Sequence, residues 1–318
     1  MERILVIGAN GQIGTELVQA LAASFGADNV LATDIAPSFD HRAVRYQRLD
    51  VLDRAVLADV VARERITQVY QLAALLSATG ERNPVAAWRL NMDGLLNVLE
   101  LARERALRVY WPSSIAAFGP STPRELTPQT TVMDPATIYG ISKLAGERLC
   151  AYYFDKFGVD VRGLRYPGVI SWRTPPGGGT TDYAVDIFQA ARRGEEFVCF
   201  LGPDTRLPMI HIDDAVRATL ALMDAPAESI RERGSYNLAG VSFTPAELAA
   251  AIRARVPNFR IRYAPDFRQA IAAGWPQAID DAQARRDWGW APRYSLDAIV
   301  DDMLANTPLQ WPLAAKAA

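Results

Sequence analysis

Seven residues near the start, Gly8-Ala9-Asn10-Gly11-Gln12-Ile13-Gly14, restrict the fold of this 318-residue chain more than any others. They separate a short apolar run, Ile4–Ile7, from a segment whose apolar residues recur at helical spacing from Gln12 to Phe25 and stop at Gly26. Glycines between a strand and a helix let the backbone turn sharply and approach an anion held at the helix N-terminus. Asp34 lies 20 residues past Gly14, at the end of a second strand-like run over 30–34, with Ile35 beside it. A carboxylate there accepts hydrogen bonds from ribose hydroxyls and repels a 2′-phosphate. The pattern points to a bound dinucleotide, NAD rather than NADP, with Gly8, Gly11, Gln12, Ile13, Gly14, Asp34 and Ile35 as its first contacts.

The same alternation continues. Strands are expected over 44–49, 68–72, 107–111 and 159–165, and helices over 54–64 (capped by Asp53), 84–106 and 135–157. Strand–helix repetition implies right-handed βαβ units, hence an α/β Rossmann fold: a doubly wound parallel sheet covered on both faces. After Tyr166 the alternation degrades. Thr174-Pro175-Pro176-Gly177-Gly178-Gly179 is the strongest loop signal in the chain. Helices follow near 183–193, 213–223, 244–253 and 295–303. The expected division is a dinucleotide-binding domain over 1–170, with a returning segment at about 205–240, and a smaller C-terminal lobe for substrate from 171–204 and 241–318.

Composition removes several alternatives. Half the residues are hydrophobic, so the chain can bury a sizeable core. A net charge of −2 gives no electrostatic reason to expect nucleic acid or an anionic membrane as partner. Two cysteines, Cys150 and Cys199, and two histidines, His41 and His211, are too few for a Cys/His zinc site, so no metal is expected. Met1-Glu2-Arg3 leads directly into the first strand, and no 18-residue apolar stretch occurs, so the expected location is the cytoplasm. The cations are 31 Arg and three Lys, which makes each lysine worth locating.

One of them stands in Tyr139-Gly140-Ile141-Ser142-Lys143, where a spacing of four puts phenol and ammonium on one helix face. With 11 Tyr and three Lys, chance supplies such a pair roughly 0.1 times in this chain. A free phenol, with a pKa of about 10, is a poor base at neutral pH. A neighbouring ammonium and an oxidised nicotinamide both favour the phenolate. Ser113 and Ser114 follow the fifth strand, where a doubly wound sheet faces its ligand crevice, and a hydroxyl there can hold a reacting oxygen beside Tyr139.

Together, the glycine turn, Ser114, Tyr139 and Lys143 resemble the extended short-chain dehydrogenase/reductase family over the whole chain. The resemblance implies further cofactor contacts. Asp50 and Val51 look like the adenine-side pair, and Leu72, Ala73 and Ala74 like the segment beneath the cofactor. Tyr166 and Pro167 look like the turn at the nicotinamide, and Asn91 like the residue that supports the active-site helix. Residues 113–120, 165–171, 176–185 and 280–290 resemble one subgroup, the zinc-independent L-threonine 3-dehydrogenases. Gly179-Thr180-Thr181-Asp182 belongs to its most specific stretch.

The subgroup implies oxidation of L-threonine by NAD to L-2-amino-3-oxobutanoate. Tyr139 would be the general base, with Ser114 on the reacting oxygen and Lys143 on the nicotinamide ribose. Substrate contacts are expected from Ser77, Ser113, Ser114, Tyr139, Gly179, Thr180, Thr181 and Asp182. Asp182 could cap the following helix or face the substrate ammonium, and Trp275 could wall the pocket or be an ordinary core aromatic. The resemblance also implies a homodimer paired through a four-helix bundle of the 84–106 and 135–157 helices. Two other readings compete. A nucleotide-sugar 4-epimerase would need a basic cradle, for which Arg206, Arg217, Arg262 and Arg268 are available. A non-catalytic dinucleotide sensor would have no need of the Tyr/Lys pair.

Overall fold

A computed structural model describes residues 2–38 and 44–311; His41 and Lys316 lie outside them. The first strands are β1 (Ile4–Ile7), β2 (Val30–Asp34), β3 (Arg45–Arg48), β4 (Gln68–Gln71) and β5 (Arg108–Tyr110), followed by the short β6 (Ser113–Ser114) and β7 (Val161–Arg162). All but β6 form one parallel sheet in the order β3-β2-β1-β4-β5-β7, the Rossmann arrangement. β1 is wholly apolar because both of its faces are covered. Ile4 and Val6 pack with helix α1 (Gln12–Phe25), and Leu5 and Ile7 pack with the helices opposite. Strand order reverses between β1 and β4, which opens a crevice at their carboxyl ends.

Helices α2 (Arg54–Arg63), α3 (Ser77–Gly80), α4 (Pro84–Trp88), α5 (Gly94–Arg105) and α6 (Ile138–Phe157) complete this half. Asp53 caps α2 by accepting from Val56 N–H, as its sequence position implied. Three boundaries differ from expectation. The 84–106 helix is interrupted by a π-helical turn, Arg89–Asp93, between α4 and α5. The helix expected from 135 begins at Ile138, because Thr137, rather than Pro135, supplies the cap, accepting from Gly140 N–H. The strand expected over 159–165 is broken at Gly163, where a Cβ would stand 2.5 Å from Ser235 Oγ and 2.6 Å from the Trp111 carbonyl. β7 stays in the main sheet, and the chain after the break, β8 (Leu164–Tyr166), pairs with β6 and with β12 (Tyr236–Asn237).

Between β8 and β12 lie β9 (Gly168–Ile170), α7 (Tyr183–Arg193), β10 (Glu196–Cys199), β11 (Leu207–His211) and α8 (Ile212–Asp224). Beyond β12 follow β13 (Val241–Phe243), α9 (Pro245–Arg253), β14 (Arg260–Tyr263), α10 (Phe267–Ala273), α11 (Ala282–Trp288) and α12 (Leu296–Asn306). A separate core joins Phe188 of α7, Phe197 of β10, Leu248 and Ile252 of α9, and Ile299 and Met303 of α12. α8 instead packs beside α1, in the core that lies on one face of the main sheet. Among the described residues, no helix is long and apolar enough to cross a membrane.

Arg162 ties the sheet edge to α8. It is 1% exposed and donates to the carbonyls of Leu222 (2.7 Å), Met223 (3.2 Å) and Ala225 (2.6 Å), and to Asp160 (2.9 and 3.0 Å). These carbonyls lie at or just past the end of α8, where helical N–H partners run out; that of Met223 also accepts from Arg108 (3.2 Å). Arg162→Leu should therefore lower the unfolding free energy in urea by roughly 3 kcal/mol or more. A loss within error of zero would contradict this account.

Candidate active site

A cleft of about 450 Å³ opens at the carboxyl ends of β1 and β4, where the strand order reverses. Its floor is the glycine turn. Gly8 has φ +85°, and a Cβ on it would lie 2.7 Å from Ala73 N; one on Gly14 would lie 2.3 Å from the Gly8 carbonyl. Those two glycines let the turn close upon itself. A Cβ on Gly11 would meet only the Gly8 carbonyl, at 3.4 Å, so this position leaves the backbone bare toward the cleft. Asp34 accepts from Asn10 N–H (3.1 Å) and Ala36 N–H (3.2 Å), which fixes its carboxylate beside the turn. This cradle, with an acid at the end of β2, fits the pyrophosphate and adenosine ribose of NAD. A larger groove of about 970 Å³ between α1 and α8 lacks a glycine turn and any Ser–Tyr–Lys grouping, so it is not the better candidate.

Tyr139 and Lys143 face the cleft from the first turns of α6, and Ser114 faces it from β6. Ser114 hydrogen-bonds Tyr139, which favours the phenolate, but burial dominates and pushes the phenol up to about 12. Lys143 is 3% exposed, donates to the Pro112 carbonyl at 2.6 Å, and is pushed down to about 7 by burial. Burial thus keeps the Tyr139 phenol protonated and brings the Lys143 ammonium close to its titration point at neutral pH, so a base here needs further positive charge nearby.

Close approach of α6 makes this grouping. A Cβ on Gly140 would stand 2.1 Å from the Ala116 carbonyl, so only glycine lets α6 rest on the turn Ile115–Ala117 that follows Ser114. Ser142 donates to the Tyr139 carbonyl (2.7 Å) and accepts from Asn91 Nδ2 (3.1 Å). Asn91 also exchanges hydrogen bonds with the backbone of Leu75 (2.9 and 3.2 Å). It stands outside the cleft, in the π-helical turn, and staples α6 to the chain after β4, the support that the resemblance implied.

Ser113 turns the other way, because neighbouring strand residues point to opposite faces. Its hydroxyl donates to Glu147 Oε1 at 2.5 Å, and Glu147 is paired with Arg165 at 2.8 and 2.9 Å. Ser113 thus lines the cleft while its hydroxyl is committed to Glu147 behind the site. Tyr166 and Pro167 both line the cleft, although the Tyr166 hydroxyl lies inside the sheet, where it accepts from Tyr110 (2.6 Å).

The far wall comes from Ser77, Gly179, Thr180, Thr181, Asp182 and Trp275. Ser77 and Thr180 share a hydrogen bond at 3.3 Å, and both are nearly fully buried. Of the two options for Asp182, the helix cap is replaced. Its carboxylate accepts from Gly178 N–H (2.8 Å) and Gly179 N–H (2.7 Å), makes no cap bond to α7, and is pushed up to about 6 by burial. It folds the glycine loop onto the cleft. Trp275 is 6% exposed, a cleft wall and a core residue together.

Gln12, Ile13, Leu72 and Ala74 line the cleft, whereas Ile35 is exposed, Asp50 is exposed, and Val51 is buried against Gly94; none of these three lines it. The four candidate cradle arginines do not reach it either. Arg206 pairs with Glu247, Arg217 with Asp214, Arg262 with Glu196 and Arg268 with Asp266. Sequence reasoning missed Leu76, Thr79 and Thr174 in the lining and Trp111 behind it. Only the proximity of Leu76 and Thr79 to Ser77, and of Thr174 to the glycine loop, signalled them. Among the described residues, no cluster of His, Cys, Asp and Glu could hold a metal ion.

Comparison with known proteins agrees with this geometry. The profile of the NAD dependent epimerase/dehydratase family matches residues 4–239. The mitochondrial L-threonine 3-dehydrogenase of Bos taurus is 47% identical over 306 residues, covering 95% of this chain and 82% of the bovine protein. A solved GalE-like L-threonine dehydrogenase from Cupriavidus necator, in its holo form, superposes with a TM-score of 0.94 at 62% identity, covering 96% of this chain and 99% of that one. A monomeric L-threonine 3-dehydrogenase from a metagenome, in its apo form, superposes with a TM-score of 0.93 at 46% identity, covering 95% and 98%.

The contact at Gly140 can be tested without any ligand. Gly140→Ala forces a methyl into the Ala116 carbonyl and should cost roughly 1–3 kcal/mol of stability. An unchanged thermal midpoint would show that α6 does not depend on this approach.

Proposed function

We propose, since the chain belongs to the NAD dependent epimerase/dehydratase family, that it catalyses oxidation of L-threonine at the 3-hydroxyl by NAD, giving L-2-amino-3-oxobutanoate. The observation that carries this reading is the convergence of Ser114, Tyr139 and Lys143 with the Ser77–Thr180 pair in one cleft beside the glycine turn. Gly8, Gly11, Gln12, Ile13, Gly14 and Asp34 would hold the cofactor, and Lys143 its nicotinamide ribose. Asp34 favours NAD over NADP because it would meet a 2′-phosphate with like charge. Bound NAD supplies a cationic ring that accepts the hydride from C3 of the substrate.

The chain's own residues do the rest. Tyr139 Oη takes the proton from the substrate hydroxyl, and Ser114 Oγ orients the same oxygen. Thr180 and Thr181 receive the carboxylate near the start of α7, where backbone N–H groups carry partial positive charge. On this reading residues 171–204 and 241–318 are the substrate lobe, and 1–170 with about 205–240 the cofactor domain. The nucleotide-sugar reading lacks support, since its four arginines are paired away from the cleft.

The working state we propose is a cytoplasmic homodimer joined through α4, α5 and α6. In its favour, Trp88, Met92, Leu96, Leu149 and Tyr152 line an open apolar groove across these helices, with Trp88 40% and Tyr152 51% exposed.

NADH formation with a panel of free amino acids, and conversion of UDP-galactose to its 4-epimer, together test the reaction. L-Threonine should be the preferred reductant; epimer formation, which returns the hydride to the sugar and leaves no net NADH, with no threonine oxidation would replace this reading by the epimerase one.

Tyr139→Phe keeps the ring and removes the base, so turnover should fall by roughly 10²-fold or more with little change in NAD affinity. Because burial holds the Tyr139 phenol protonated at neutral pH, kcat/KM for threonine should rise with pH through the alkaline range. A pH-independent rate, or near-normal turnover of the variant, would remove Tyr139 from its role.

A further inference from the structure

Lys143 is a cation without a counter-ion of its own. It lies inside the protein, and the acid one turn further along α6, Glu147, is committed to Arg165 and Ser113. Two other titratable groups on the same helix bear on it, Tyr139 and Cys150, and Cys150 is buried with its thiol pushed up by desolvation. Arg165, from β8, adds positive charge behind Glu147. What touches the ammonium directly is one carbonyl, that of Pro112, and two ring faces. Lys143 Nζ lies 4.4 Å from the centroid of the Trp111 ring and 5.4 Å from that of Tyr139. An indole face is the strongest of the aromatic attractors for a cation, and more so where water is excluded.

The indole is itself held in place. Trp111 directly follows β5 and donates its backbone N–H to the Arg162 carbonyl at 3.0 Å. It is 3% exposed, and its ring edge enters a notch in α6 that exists because residue 146 is glycine: a Cβ there would stand 2.3 Å from the ring. Gly146 is three residues from Lys143, on the same face of the helix. The indole thus meets Gly146 with its edge and the Lys143 ammonium with its face.

We propose that Trp111 is a positioning residue for this site: its indole is the seat that holds the Lys143 ammonium against the Pro112 carbonyl and beside Tyr139. This rests on the reading of Lys143 given above and adds a residue that touches neither substrate nor cofactor. Trp111 acts by keeping Lys143 charged and directed in a dry wall. Burial, opposed by Cys150 and Glu147, already holds that ammonium down at about 7, so loss of the attracting ring face takes it lower still.

The scarcity of lysine makes this measurable on the protein alone. With lysine labelled in 13C and 15N, the chain contributes three lysines to the NMR spectrum, of which Lys156 is exposed. In the wild type, the Lys143 side-chain signal should carry a ring-current shift and titrate well below the ordinary lysine value. Trp111→Leu should cut the ring-current shift to the smaller part owed to Tyr139 and lower the Lys143 midpoint by about one pH unit, a tenfold change in its protonation equilibrium. Trp111→Phe, which keeps a smaller ring, should shift it in the same direction by less, and it carries the test if the leucine variant does not fold. In the threonine assay, Trp111→Leu should lose roughly tenfold in kcat with a smaller change in KM. An unchanged Lys143 midpoint in both variants, or equal shifts in both, would reduce Trp111 to a packing residue. Failure of the wild type to oxidise threonine would strike the functional reading alone, because the titration needs neither substrate nor cofactor.

Discussion

Helix α6 can reach the chemistry only because two of its residues have no side chain. At Gly140 it rests on the carbonyl of Ala116, and at Gly146 it admits the edge of Trp111. Both contacts are closer than any Cβ permits. Between these notches the helix presents Tyr139, Ser142 and Lys143. Ser114 meets Tyr139, Asn91 meets Ser142, and Pro112 meets Lys143. Ser114 and Pro112 belong to the stretch that follows β5 and Asn91 to the π-helical turn, so the spacing of these two segments is set by one helix packed at two points. The main sheet supplies the other constraint, since β5 fixes where Trp111 and Pro112 begin.

Charge is arranged around this packing. The bidentate Glu147–Arg165 pair lies behind the site, with its remaining donors bound to the Gln129 carbonyl and Asn237. A pair so fully satisfied escapes the cost of an unmatched buried charge and holds Ser113, hence β6, in register. In front of it, Lys143 has no such partner, and Tyr139 is disfavoured as an anion. Around the reacting groups the protein thus supplies little charge of its own, which suits a site that binds a charged cofactor and a zwitterion.

Features set by local spacing were legible in the sequence. The glycine turn, Asp34 and the Tyr139–Lys143 pair depend on neighbours within one strand–turn–helix unit or one helical turn. β2 and α7 have the bounds that their patterns imply. Features set by distant segments were not legible. The break at Gly163 arises from Ser235 and Trp111, far off in sequence. Asp182 looks like a helix cap in sequence, yet the glycines before it offer it better-placed N–H groups. Ser113 and Ser114 are indistinguishable until a two-residue strand sends them to opposite faces. The four arginines matched a cradle by residue type, and each found an acid elsewhere.

The break at Gly163 has a consequence at the rim of the molecule. It leaves the main sheet with a last strand of two residues, β7, while the opposite rim, β3, carries Arg45 and Arg48 at its ends, both exposed. A parallel sheet rich in Val, Ile and Leu is a template on which a stray strand from another molecule could grow. Here one rim is too short to seed that growth and the other sets cations along it. The geometry that re-aims the chain toward the cleft also guards the protein against polymerising through its own sheet.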